Sequence, residues 1–247
     1  MHAVEELQKD VWGVPDLDVV PLTHLVATKQ AGGVLIGAFD GDALVGFVYG
    51  FHGYERGQFA HHSHMLGVKP AYRNFDLGRR LKLAQRDHVV AQGIELITWT
   101  FDPLQTLNAY FNFHKLGVVA DRYLRDFYGE DATSFLHQTG TDRLWVSWFL
   151  MKENVNRVVS TEVAPLLQID AEDLPQRNDL TDDENISIEI PGDIDALQQR
   201  SMETALKWRS ETRWAFTTAF NAGYFVSGFT REQQFGRYLL SKHGVQI

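Results

Sequence analysis

Met65-Leu-Gly-Val-Lys-Pro-Ala-Tyr-Arg-Asn-Phe-Asp-Leu-Gly-Arg-Arg-Leu-Lys-Leu83 is the stretch whose reading decides the fold. It begins as the apolar end of a strand, turns at Lys69-Pro70, where proline disfavours both ladder and helix, and opens a helix near Phe75. A strand feeding a helix N-terminus presents unpaired backbone amides and the positive end of a macrodipole, a combination that suits an anion. The charge agrees. Between Lys69 and Asp87 stand Lys69, Arg73, Arg79, Arg80, Lys82 and Arg86 against only Asp76 and Asp87, inside a chain of net charge −9.

Working outward, Phe75 to Gln92 reads as a helix whose Leu77, Leu81, Ala84, His88 and Ala91 form one buried stripe, with the basic residues largely beside it. Upstream, Phe59 to Val68 is a strand. Val34 to Phe39 and Ala43 to Phe51 are apolar runs joined by Asp40-Gly-Asp, the signature of a tight antiparallel hairpin. Ala3 to Trp12 and Leu22 to Gln30 read as short amphipathic helices. Downstream, Ile94 to Phe101 is a strand, Leu104 to Leu116 a helix closed by Gly117, and Val118 to Tyr128 and Arg143 to Met151 two further strands. The order predicts a mixed, mostly antiparallel α/β layer flanked by helices.

Composition changes near residue 151, which sets the expected domains at 1–151 and 152–247. Asp170 to Glu184 holds seven acids against Arg177 and reads as an exposed linker or lid. Ile186 to Ile190 is then a strand, Asp193 to Asn221 one long helix, and Tyr224 to Phe229 with Gly236 to Leu240 a small strand pair. On the long helix, Leu206, Arg209, Arg213, Phe216 and Phe220 share a face. Two arginines there require anions, either acids of the chain or a substrate carboxylate; Arg122, Arg125 and Arg143 are further candidates for the second role.

At 247 residues and 44% hydrophobic content the chain buries a full core. No apolar run approaches the roughly 18 residues of a membrane span, and the first residues lack the pattern of a signal peptide, so a cytoplasmic protein without membrane partners is expected. The absence of cysteine removes disulfides, thiolate catalysis and cysteine-based zinc sites. Net acidity argues against nucleic acid as a partner but not against one small anion in a basic pocket.

The segment Val68-Lys-Pro-Ala-Tyr-Arg73-Asn-Phe-Asp76-Leu-Gly78-Arg-Arg-Leu resembles the acyl-CoA pyrophosphate loop of the GNAT acetyltransferase superfamily. Asn108-Ala-Tyr-Phe-Asn-Phe-His-Lys115-Leu-Gly117-Val resembles a second motif of that family, in the expected order. The resemblance covers roughly residues 1 to 150. It implies a GNAT-like fold in which CoA lies between two neighbouring parallel strands. Met65, Leu66, Gly67 and Val68 would contact the cofactor, their amides polarising the thioester carbonyl, Arg73, Asn74, Phe75, Asp76, Leu77, Gly78 and Arg79 would surround its diphosphate, and Asn108 and Lys115 would come from the second motif. Asp76 departs from the family's glycine; its carboxylate either fills the cradle or points outward while its amide faces the ligand. Counting back from Gly117 places Thr106 where the family has the asparagine, so Thr106 and Asn108 compete for that role.

An amine attacks a thioester only as the free base, so a proton acceptor is needed. His62 and His64 share one face of the 59–68 strand, His61 and Ser63 the other. His64 is the first choice and Glu55 the second. The histidines do not make a metal site, because adjacent strand residues face apart and no carboxylate completes a known spacing. The family's general-acid tyrosine is replaced by Phe113; Tyr110, one turn earlier, Tyr123, Tyr128 or water would serve instead. Trp99-Thr-Phe-Asp-Pro-Leu, Gly140-Thr-Asp-Arg-Leu and the C-terminal part look like a GNAT branch of small-molecule acyltransferases that includes N-succinylating members. The resulting expectation is an acyl-CoA-dependent N-acyltransferase, with acetyl-CoA or succinyl-CoA as donor and a small-molecule amine as acceptor, by direct attack. A homodimer is compatible with it. The competing expectations are a CoA-binding regulatory protein without turnover and a partner-binding module built on the C-terminal helix.

Overall fold

The computed structural model describes residues 1–129, 138–151 and 163–242. By contacts the chain divides into two compact units. Among the described residues, the first comprises Met1–Trp99 with Phe149–Met151, and the second 100–129, 138–148 and 163–242. That division falls inside a strand, whereas the compositional change lies at 151.

The first unit holds α1 (His2–Trp12), α2 (Leu22–Gln30), β1 (Val34–Asp40), β2 (Ala43–Glu55), β3 (Gln58–Val68), α3 (Leu77–Ala91) and the start of β4 (Leu96–Phe101). Its strands run in the order β1-β2-β3-β4. β1 and β2 pair antiparallel across the Gly41-Asp42 turn, β2 and β3 pair antiparallel, and β3 and β4 pair parallel. Glycine accounts for the turn, since Gly41 sits at φ 57°. One face of the sheet carries the core that Phe47 and Tyr49 form with Val4 and Leu7 of α1, Leu25 of α2, and Leu44. Each such buried side chain contributes about 1.5–3 kcal/mol.

The opposite face receives α3, and here the expected stripe is corrected. Leu81, Lys82, Gln85 and Val89 are buried, while His88 and Ala91 are exposed. The buried face is turned by about one residue, or 100°, because apolar spacing alone could not reveal that Lys82 and Gln85 have polar partners beneath them. The helix also starts later than Phe75. Pro70–Phe75 form a 3₁₀ turn, and Asp76 precedes α3 in the left-handed region at φ 55°.

The second unit contains α4 (Thr106–Ala109), β5 (Val119–Leu124), β6 (Arg143–Phe149), β7 (Ala164–Ile169), β8 (Pro175–Arg177), β9 (Asn185–Pro191), α5 (Ile194–Arg200), α6 (Met202–Asn221), β10 (Phe225–Arg231) and β11 (Phe235–Ser241). Its strand order is β6-β5-β10-β11-β9-β7-β8, so the expected small strand pair, β10 and β11, is the middle of a larger sheet. The acidic stretch is no free linker: β8 pairs with β7, and the Asp173 carbonyl accepts from Trp208 Nε1 at 2.8 Å. The expected long helix is two helices. Ser201, at φ −155°, ends α5 and caps α6 by accepting from the Thr204 amide.

The expected 104–116 helix is α-helical only over Thr106–Ala109 and π-helical over Tyr110–Leu116, where the Gly117 amide reaches the Asn112 carbonyl. A π-turn admits one residue more than an α-turn, so counting back from Gly117 in α-turns misplaces whatever precedes it.

Candidate functional site

In the first unit the site is built from β3, the 3₁₀ turn and the start of α3. The first i→i−4 bond of α3 runs from the Arg80 amide to the Asp76 carbonyl at 3.1 Å, which leaves the amides of Leu77, Gly78 and Arg79 as the outward donors of its first turn. The Asp76 carboxylate makes no cap bond to them; it lies 3.6 Å from Arg79 Nη1. The left-handed backbone explains this, since side-chain capping requires an extended residue. It is also the conformation glycine adopts without strain.

The basic excess around this turn is smaller than the sequence count suggests. Lys69 pairs with Asp10, Arg79 with Asp76 and Arg86 with Asp87, and Lys82 points inward. Arg73 bonds the Val68 carbonyl through Nε at 3.3 Å, with its side chain on the surface, and Asn74, Phe75 and Arg80 are exposed beside it. The amides and two exposed arginines, Arg73 and Arg80, remain as the outward polar groups of this turn.

β3 leads into this turn and parts from β4. Their ladder consists of His61↔Ile97 and His62↔Thr98; beyond it, amides of Ser63 to Val68 that point toward β4 have no ladder partner there. On the β2 side, Met65, Leu66, Gly67 and Val68 pair with Tyr49, Val48, Phe47 and Gly46, and the register slips between Tyr49↔Met65 and Phe51↔His62. One extra residue on β3 therefore bulges at Ser63-His64.

The bulge separates two sets of side chains. Toward α1 and α2, His64 lies among Tyr49, Phe51 and His62, with ring centroids 6.2, 5.7 and 6.4 Å away. It keeps exposed surface, yet desolvation by these rings, followed by His24, lowers its pKa, so it is a neutral base at pH 7. His62 is lowered to about 4, by burial first and then by His64 and Lys82; its Nδ1 lies 3.1 Å from Thr98 Oγ1. Toward α3, His61 meets Gln85 and Ser63 meets Lys82. Burial, then Lys82, lowers His61 to about 3. Glu55 ends β2, pairs with Gln58 across the Arg56-Gly57 turn and lies 3.4 Å from Arg56; six residues of strand, roughly 20 Å, separate Gln58 from His64.

In the second unit, Asn108 is exposed and its Oδ1 accepts from Asn112 at 3.5 Å. Thr106 is buried, with its hydroxyl spent on the Pro191 carbonyl at 2.7 Å. Tyr110 stacks on His114 at 4.4 Å, and Lys115 is exposed. Phe113 is buried between Phe101 and Tyr238. Tyr123 donates to Asp142, and its pKa is raised well above the ordinary value, chiefly by burial, so it is a poor proton donor. Both helix arginines have internal acids. Arg209 makes a bidentate pair with Asp102 at 2.9 and 2.6 Å, and Arg213 does so with Asp142 at 2.8 and 2.7 Å.

No described group of three or more His, Cys, Asp or Glu could hold a metal ion. None of the described helices is long and apolar enough to cross a membrane. The residue that sequence reasoning missed is Lys82. Its only sequence signal was a lysine one position after an apolar stripe residue.

A model described as the acetyltransferase (GNAT) family matches residues 1–117. Solved structures similar to the chain include the aminoglycoside 6'-N-acetyltransferase from Enterococcus faecium, at 18% identity over 62% of this chain and 92% of that one, with a TM-score of 0.47. Another is the ribosomal-protein-S18-alanine N-acetyltransferase from Escherichia coli, at 12% identity over 63% and 90%, with a TM-score of 0.49. A third is a GNAT family acetyltransferase from Elizabethkingia anophelis with acetyl-CoA bound, at 12% identity over 59% and 89%, with a TM-score of 0.46. No curated protein matches.

Proposed function

We propose that this chain is an N-acyltransferase that moves an acyl group from CoA, as the acetyl or succinyl thioester, to the primary amine of a small molecule such as an amino acid. The observation that carries this reading is the junction of β3 and α3. Outward amides of Leu77, Gly78 and Arg79 follow a left-handed residue, directly after a strand whose ladder to its parallel neighbour has stopped. Such a junction suits a diphosphate at the helix start and an extended arm along Met65 to Val68. The match of residues 1–117 to the acetyltransferase family supports the same chemistry.

In this reading the amine attacks the thioester carbonyl directly. β3 amides facing β4 polarise that carbonyl and stabilise its oxyanion. His64, neutral and accessible, takes the proton the amine must lose. Asn108 and Lys115, both exposed on the 106–116 segment, remain candidates for contacts to the donor, and Tyr110 for a proton donor. A second reading, CoA binding without turnover, draws on Phe113, which has no proton to give and is 1% exposed.

The test is calorimetric titration with CoA, acetyl-CoA and succinyl-CoA, followed by thiol release across a broad panel of amino acids and other amines. Binding with amine-dependent thiol release is expected. Binding without release on any amine favours the second reading, and no binding of any CoA species overturns both.

A further inference from the structure

Lys82 is 2% exposed, a site from which an ammonium is normally excluded unless a counter-ion accompanies it. Among the described residues no acid offsets its burial; desolvation lowers its pKa well below the ordinary value, so its ammonium gives up a proton more readily than that of an exposed lysine. Its contacts are the Ser63 hydroxyl, 2.7 Å from Nζ, and the face of Trp99, whose centroid lies 3.6 Å away. The titratable neighbours are His61 and His62 of β3, lowered to about 3 and about 4, by burial first in each case. In the same layer, His61 Nδ1 and Gln85 Oε1 are buried without hydrogen-bond partners among the described residues. A packed apolar layer would be the more stable solution, so this arrangement calls for a use.

Its position suggests one. The β3–β4 ladder ends at His62↔Thr98, and Ser63 and Trp99 are the next residue on each strand. Lys82 stands between them and closes the α3 side of the fork. From Val68 back to Ser63 is roughly 17 Å of strand, comparable to the length of an extended pantetheine arm.

We propose that the Ser63 hydroxyl, backed by the Lys82 ammonium, protonates the sulfur of CoA as the acyl group leaves it. The amine nitrogen bonds to the acyl carbon, and the carbon–sulfur bond breaks with its electron pair on sulfur. Ser63 passes its proton to that sulfur, Lys82 replaces it, and neutral Lys82 regains a proton from water. The proton lost by the amine leaves on the other face of β3, where His64 stands. This inference rests on the acyl-transfer reading. It supplies the acid that Phe113 cannot be and that Tyr123, bound to Asp142, is poorly suited to be.

The test compares the unaltered chain with Lys82→Met, using acetyl-CoA and an acetyl aryl thioester, whose leaving thiolate is stable without a proton. With acetyl-CoA the variant is expected to lose roughly 100-fold in kcat, while CoA affinity stays within about threefold. With the aryl thioester the loss should be below about threefold. The melting temperature should rise, because a buried unpaired amine has been replaced by an apolar chain of similar length. Equal losses with both donors, or a lowered melting temperature, would mark Lys82 as structural and overturn the proposal, as would undiminished turnover of acetyl-CoA. Ser63→Ala should repeat the donor pattern and serves as the deciding variant if Lys82→Met does not fold. If the unaltered chain neither binds CoA nor releases thiol, the acyl-transfer reading itself has failed and this inference falls with it.

Discussion

Asp76 shows how one residue's backbone decides what its side chain can do. At φ 55° and ψ 20° it occupies a conformation that costs an ordinary L-residue roughly 1–2 kcal/mol and costs glycine almost nothing. Asp76→Gly should therefore raise the urea midpoint by the equivalent of about 1 kcal/mol, and it should tighten CoA binding by removing a carboxylate beside the cradle. Asp76→Ala, which keeps the Cβ and loses the aspartate's tolerance of this region, should lower the midpoint. A glycine variant no more stable than the parent would show that the turn is relaxed as it stands. His64 makes a separate prediction at this scale. Because desolvation lowers its pKa, kcat/KM should hold at neutral pH and decline only as pH falls below the ordinary histidine value of about 6.5. His64→Gln should cost roughly 100-fold in turnover at pH 7 with CoA affinity unchanged; an unaltered pH profile in that variant would remove His64 from the reaction.

At the scale of elements, the bulge in β3 is held by a close contact with β2. A Cβ built on Gly50 would lie 2.4 Å from His61 Nε2 and 2.5 Å from the His62 carbonyl oxygen, and the oxygen is backbone and cannot swing aside. Gly50→Ala should cost about 1–3 kcal/mol in a urea melt, and a cost below about 0.5 kcal/mol would show that β3 is free to shift. The same imidazole makes the unit sensitive to acid. Unfolded His61 binds a proton below about pH 6.5, whereas the folded residue does so only near about 3, so stability is intact above pH 6.5 and is lost progressively as pH falls toward 3. His61→Gln should flatten that slope; an unchanged slope would assign acid sensitivity to other groups. This layer also marks where sequence reading stops. The hairpin, the proline turn and the order of elements through β6 follow from period-two runs, Gly41 and Pro70, which act locally. The burial of Lys82 and Gln85 does not, because their partners Ser63 and His61 lie 19 and 24 residues away. The π-turn after Ala109 escapes for a similar reason, since Tyr110–Leu116 contains neither glycine nor proline to mark a break, and α5 and α6 divide at a serine whose capping role depends on its backbone angle.

At the scale of the whole chain, the compositional boundary at 151 and the contacts make different predictions about what can be removed. Within the second unit, β5 pairs with β10 at Ala120↔Val226, and Phe113 packs on Tyr238. Asp102, whose carboxylate also accepts from the Leu104 amide at the start of the 104–116 segment, is held by Arg209, 107 residues later. Asp142 is kept ionised in the same way: burial opposes its charge, but Arg213, the Asp126 amide and Tyr123 outweigh it and lower its pKa. A fragment ending at residue 151 keeps the first unit whole but leaves Asp102 and Asp142 without their arginines, so amide exchange should find residues 100–129 and 138–148 unprotected; protection there would mean that they fold without the C-terminal part. The ion pair can be tested without truncation. Arg209→Met should cost about 3–5 kcal/mol, because it strands the Asp102 carboxylate in a site where Arg209 is 4% exposed. Adding Asp102→Leu should restore most of that loss if the arginine's role is to neutralise the aspartate. If the double variant is no more stable than Arg209→Met, the arginine is held for its bonds to Thr139 as well, and α6 is tied to the stretch before β6 by more than one charge.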